Sequence, residues 1–216
     1  MKKIDETRIQ HLNAVSSPAR GGHVLYWMQQ SQRTYDNHAL EFAVLQANRL
    51  RQPLLVVFGF MPSYPEANRR HFTFMLEGLE EVAAQLKQRE IAFRADLGKP
   101  DTVALSHAAG ASLLVCDRGY LRHQRRWRRT VARKAPCPVI QVESDLVLPL
   151  ETVSAKQEYA ARTIRPKIES QLPSCLKPLQ RSRRQGHRAG DNLLQGRLQS
   201  CRKTLVSISK RKAAGL

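Results

Sequence analysis

The residues whose types and spacing could do chemistry begin with one block, His123-Gln124-Arg125-Arg126-Trp127-Arg128-Arg129. Guanidinium groups at this density attract phosphates and do not read base sequence. The plainer alternative is a solvated helix face with one aromatic turned inward. Cys116, Cys137, Cys175 and Cys201 include no CxxC and no metal-ligand spacing. They read as reduced thiols without redox or metal roles, as in a cytoplasmic protein. Glu80-Glu81 lie side by side on a helix surface and form no acid–base pair. His38 and His71 read as cap or surface residues, and Trp27 as core. No hydrolytic constellation is visible. Gly21-Gly22 precedes the first apolar run instead of following it, and neither GxGxxG nor GxxxxGK[ST] occurs. A dinucleotide fingerprint and a P-loop are therefore disfavoured.

The elements that would position such residues alternate regularly. Apolar runs at 23–28, 53–60, 91–96, 112–116 and 138–142 read as strands. Between them, 36–51, 68–89, 101–109 and 121–134 read as helices, with Asp36 or Asn37 capping the first and Asp101 the third. The pattern predicts an α/β fold: a Rossmann-like, five-stranded parallel sheet with helices on both faces. In such sheets ligands sit outside the carboxyl ends of the strands. The loops that matter are then 29–35, 61–67, 98–100 and 117–120.

Composition sets the outer limits. The chain has 36 Lys plus Arg against 18 Asp plus Glu, a formal charge of +18. Residues 165–216 hold 13 basic and 2 acidic side chains and no Phe, Tyr or Trp. Such a segment buries too little apolar surface to offset its ordering entropy. It predicts a basic tail that is partly disordered or helical. The expected organisation is a flexible arm over 1–22, an α/β domain over 23–150, an exit segment over 151–168 and the tail over 169–216. No apolar run is long enough to cross a membrane, and the first residues lack the apolar core of a secretory signal. A soluble, cytoplasmic protein with no membrane and no metal partner is expected. The basic helix 121–134 and the tail predict weak, nonspecific attraction to nucleic acid.

Three stretches carry a family resemblance. Val24-Leu25-Tyr26-Trp27-Met28, followed by a polar loop with Arg33 and then Asp36-Asn37-His38-Ala39-Leu40, resembles the first strand and loop of the photolyase/cryptochrome family. Arg70-His71-Phe72-Thr73-Phe74-Met75-Leu76-Glu77-Gly78-Leu79 resembles a helix of the class II cyclobutane pyrimidine dimer photolyases. Lys156 to Ile168, through Tyr159-Ala160-Ala161-Arg162, is similar to the segment leaving the antenna domain of that class. With Cys116-Asp117-Arg118-Gly119-Tyr120 and Gln141-Val142-Glu143-Ser144-Asp145, the resemblance spans about residues 22–168.

The resemblance implies an N-terminal antenna domain of a light-driven DNA-repair lyase, with damaged DNA as partner. FAD belongs to a helical domain in the full-length family, and residues 169–216 do not resemble it. The tail is expected to be a truncated or frameshifted remnant, leaving the antenna step without repair and no catalytic residue. An antenna site must hold a flat conjugated ring rigidly on stiff strand ends. The resemblance points to Met28, Gln29, Ser31, Gln32, Arg33, Phe60, Met61 and Asp117 as candidate contacts for a deazaflavin or FMN antenna. The family often has Arg-Asp where this chain has Gln30-Ser31, a departure that bears on which chromophore binds. Two other classes remain open: a stand-alone Rossmann-like nucleotide-binding module, and a basic nucleic-acid-binding protein that uses the tail.

Overall fold

The computed structural model describes residues 4–16, 21–185 and 201–204. Its elements in chain order are β1 (Ile9–His11), β2 (His23–Trp27), α1 (His38–Leu50), β3 (Leu54–Phe60), α2 (Arg69–Gln88) and β4 (Ala92–Leu97). Then follow α3 (Pro100–Ala108), β5 (Ala111–Asp117), α4 (Arg122–Lys134), β6 (Val139–Val142), α5 (Leu150–Val153) and α6 (Ala161–Cys175).

Strand alternation builds two cores, one on each face of the sheet. Val24 and Tyr26 of β2 face α1 and α2, among Leu40, Phe72, Leu76 and Leu79. Leu25 and Trp27 face the other way, among Ala104, Ala108 and Val131 of α3 and α4. All seven residues of β3 are buried, as expected of a parallel strand covered on both faces. Gly59 in this strand is a steric requirement: a Cβ there would lie 2.6 Å from Pro100 Cα, where α3 begins.

The strand order is β1-β6-β5-β2-β3-β4. Every pairing among β2 to β6 is parallel. The chain winds from β2 to β3 and β4, then returns to β5 and β6, so the switch point lies between β2 and β5.

The sheet has six strands where the sequence predicts five. The sixth, β1, pairs antiparallel with β6, placing Ile9 opposite Val142. The stretch expected as a flexible arm thus borders the sheet, although residues 1–3 and 17–20 lie outside the described residues. A three-residue strand with one strongly apolar side chain has no readable alternation. What fixes it is tertiary: buried Arg8 donates to the carbonyls of Glu143 and Leu146, at 3.2 and 2.9 Å.

Helix ends follow local chemistry. Asn37 caps α1, its side chain accepting from Leu40 N at 2.9 Å. Asn68 and His71 cap α2 reciprocally, at 3.2 Å each way. In α3, Pro100 occupies the first turn and Lys99 stands at the cap, so Asp101 lies inside the helix instead of capping it. Helix α6 runs through the expected boundary at 168. Beyond it, the Ser182 N–H donates to Glu41 at 2.6 Å, and Arg89 bonds both Glu41 and the Ser182 carbonyl. Of the expected tail, residues 186–200 and 205–216 lie outside the described residues.

Candidate ligand cleft

Asp117 ends β5 fully inside the protein, beside the switch point. One carboxylate oxygen accepts three consecutive backbone N–H groups, from Gln29 at 3.0 Å, Gln30 at 2.9 Å and Ser31 at 3.1 Å. The other accepts the Tyr26 hydroxyl at 2.7 Å. Burial pushes the Asp117 carboxyl above its ordinary range, against the pull of these four donors. Burial, then the Asp117 charge, pushes the Tyr26 hydroxyl well up. Tyr26 also bonds Asn37, so one network joins β2, β5, the 29–31 loop and the cap of α1.

Over this network opens a cleft of about 470 Å³. It lies at the carboxyl ends of β2 and β3, between the loops that follow them and α4. The side chains of Gln29, Gln30, Gln32 and Gln124 supply amides. Met61, Phe72, Met75 and Trp127 supply apolar surface. Gln29 is held by Trp27 Nε1 at 3.1 Å and by the Gly59 backbone. Gln124 bonds both Leu121 N and Gln30. Gly119 leaves room for it, since a Cβ there would stand 2.4 Å from Gln124 Oε1.

One wall is aromatic. The Tyr64 hydroxyl lies 2.7 Å from His123 Nε2. The His123 and Trp127 rings meet at 4.9 Å between centroids, and the Tyr64 and His123 rings at 5.3 Å, edge to face. This contact ties the loop after β3 to the first turns of α4. A volume in this range, mixed amide and apolar lining and a position at strand ends suit a flat ring with a polar edge.

The eight residues expected at the site fall into three groups. Gln29, Gln32 and Met61 line the cleft. Asp117 and Ser31 lie buried beneath it, and Arg33 turns aside to the carbonyls of Ser144 and Asp36, at 2.9 and 3.2 Å. Met28 and Phe60 belong to the core instead of the cleft; Phe60 packs against Phe72 with the rings tilted at 57° and centroids 5.4 Å apart. The reason is strand parity, which turns both toward α1 and α2. Gln30, Tyr64, Phe72, Met75, Gln124 and Trp127 also line the cleft, although their sequence pattern, Trp127 apart, does not single them out for it. The signal for Trp127 was present, one aromatic in an arginine-rich helix. Nothing local announces Tyr64. No group of three His, Cys, Asp or Glu residues poised for a metal occurs among the described residues, and no described helix is long and apolar enough to cross a membrane.

A doubly wound, mostly parallel sheet with a cleft of ligand size over its carboxyl ends defines this as an α/β domain with a candidate ligand cleft. The family model for DNA photolyase matches residues 24–183. The chain belongs to the DNA photolyase family. It is 43% identical over 176 residues to a deoxyribodipyrimidine photo-lyase of Methanothermobacter thermautotrophicus, covering 82% of this chain and 40% of that one. It is 39% identical over 156 residues to a deoxyribodipyrimidine photo-lyase of Potorous tridactylus, covering 70% and 29%. The chain thus spans well under half the length of these relatives. A crystal structure of an archaeal photolyase from Sulfolobus tokodaii with two FAD molecules shares the fold, with a TM-score of 0.60 and 11% identity, over 83% of this chain and 41% of that one.

Proposed function

We propose that this chain is the light-harvesting domain of a class II cyclobutane pyrimidine dimer photolyase, and that its cleft holds a flavin- or deazaflavin-type antenna. The observation that carries the reading is the amide- and aromatic-lined cleft of about 470 Å³, in a chain with close relatives among the deoxyribodipyrimidine photo-lyases. In this reading residues 23–150 form the antenna unit, with β1 added at its edge, and 151–168 lead out of it. FAD, damaged DNA and repair belong to the rest of a photolyase.

When bound, the antenna absorbs near-ultraviolet or blue light and passes the excitation to FAD. The residues of this chain hold it still. The amide groups of Gln30 and Gln32 left open to the cleft bond the polar edge of the ring, while Gln29 and Gln124, held by Trp27, Gly59, Leu121 and Gln30, keep the cleft wall in place. Met61, Met75, Phe72 and Trp127 cover its faces and exclude water. Asp117 touches no ligand; it fixes the 29–31 loop from below. Weak, sequence-independent attraction of DNA to α4 and the tail accompanies this role.

Fluorescence and thermal-shift titrations of the full chain with FMN, riboflavin, a deazaflavin and ATP test the reading. A ring compound at 100 times its dissociation constant stabilises by about 2.7 kcal/mol. Met61→Trp, which fills the cleft, removes that shift. Stabilisation by ATP alone would favour the stand-alone nucleotide-binding module, and no shift from any of the rings would overturn the proposal.

A further inference from the structure

A second groove, of about 450 Å³, opens on the other side of α4, between that helix, the loop after β5 and the β1–β6 edge. Arg118, Arg125, Arg128 and Arg129 line it, with Gln10 and Gln141 on the sheet side. Arg118 is neutralised by Glu143 at 3.1 Å and Glu151 at 2.7 Å. Arg125, Arg128 and Arg129 have no ion pair among the described residues. Burial pushes the Arg128 guanidinium down, the direction expected of a cation held partly out of water.

Helix α4 carries seven Arg and Lys residues and no carboxylate in 13 positions. Like charges three and four residues apart destabilise a helix, so an anion against this face would relieve it. The groove offers little to a base. Its one aromatic is Tyr120, whose hydroxyl bonds Glu143 and whose ring lies under Arg118, 5.6 Å from centroid to guanidinium. Exposed Arg122, Arg126 and Arg133 continue the positive surface beyond the groove. An extended polyanion fits this layout better than a compact nucleotide.

We propose that the groove seats the backbone phosphates of a nucleic-acid strand on Arg125, Arg128 and Arg129, apart from the antenna cleft and without preference for damaged bases. This deepens the DNA attraction proposed above and rests on it, replacing a diffuse basic surface with one seat.

The test is fluorescence anisotropy of the full chain with a labelled, undamaged duplex over a range of salt. Arg125→Gln with Arg129→Gln lowers the slope of log affinity against log salt by about 1.8, at about 0.9 per phosphate contact. Arg126→Gln with Arg133→Gln removes the same charge outside the groove and leaves the slope near that of the unmodified chain. Arg125→Lys with Arg129→Lys keeps it. If the glutamine pair fails to fold, each single substitution lowers the slope by about 0.9. Equal losses from both glutamine pairs overturn the groove while leaving diffuse attraction standing. An unmodified chain that does not bind the duplex overturns both. Displacement of the duplex by ATP at matched phosphate concentration overturns the groove in favour of a compact nucleotide site.

Discussion

Asp117 and Glu41 are both buried carboxylates, and each holds a backbone segment that arrives from far along the chain. Asp117 holds residues 29–31, 86 to 88 positions away, using only neutral donors. Glu41 holds Ser182, 141 positions away, and shares the work with Arg89, an ion pair at 2.7 Å whose side chains are 3% and 9% exposed. A carboxylate bonded by neutral N–H groups needs no cation in the loop that it holds. A carboxylate paired with a cation makes a stronger clasp where no ligand site must be kept neutral. The first arrangement suits a loop that borders the cleft; the second suits a segment that only has to stay down.

The largest effect should come from the ionic clasp. Glu41→Gln leaves Arg89 buried without its counter-charge, and stability falls by about 3 kcal/mol in a denaturant titration. Limited proteolysis should then cut first near residue 182. If the variant is as stable as the parent, the clasp is dispensable and the contrast fails. Asp117→Asn should come second, at about 2 kcal/mol, because one of its two acceptors becomes a donor, facing either the three N–H groups or the hydroxyl of Tyr26, which then loses its acceptor. The variant should also bind the antenna ring more weakly, an effect that Glu41→Gln lacks. Equal weakening by both would mean that the two regions are not separate.

A pH series sharpens the contrast further, because two groups near the α1 cap move in opposite directions. The folded Asp117 carboxyl is raised, so its share of stability grows as pH falls toward its ordinary value. Burial, then the charges of Arg8 and Arg33, lower His38 to about 4. Stability tied to neutral His38 is present above about 6.5 and is lost as pH falls from there toward about 4. The His38 share should fall by about 1 kcal/mol over that window, allowing for partial exposure. His38→Gln should flatten that limb, and Asp117→Asn should leave it in place.

The smallest effect belongs to the stretch from Ser154 to Lys167. Hydrogen bonds from Lys167, Thr163 and Ser154 hold Glu158 at about 2. Its contribution is present above about 4.5 and is lost as pH falls toward about 2. Lys167→Met should raise the Glu158 midpoint in an NMR titration with little change in global stability. An unmoved midpoint would show that Lys167 does not hold it.

Much of this was legible in the residues themselves. The five parallel strands, the α1 and α2 caps and the amphipathic face of α2 follow from spacing and side-chain type. So do the loops that form the cleft, because a parallel sheet sends its alternate loops to one end. The resemblance points to Gln29, Gln32 and Met61, which line the cleft, together with Met28 and Phe60, which lie in the core. Those two differ from their neighbours only in which face of the strand they occupy.

What sequence alone determined is local: period-two runs make strands, period-3.6 runs make helices, and short polar residues cap them. Tertiary structure decided everything that joins distant residues. It gave Asp117 three N–H partners on another loop, brought Tyr64 to His123 across 59 positions, and set β1 against β6. It also divided the arginines of α4 between groove and open solvent. The reason is physical. Hydrogen bonds and ring contacts depend on distances of a few ångströms, and a chain fixes those only after its sheet has chosen an order and its loops have been drawn to one end.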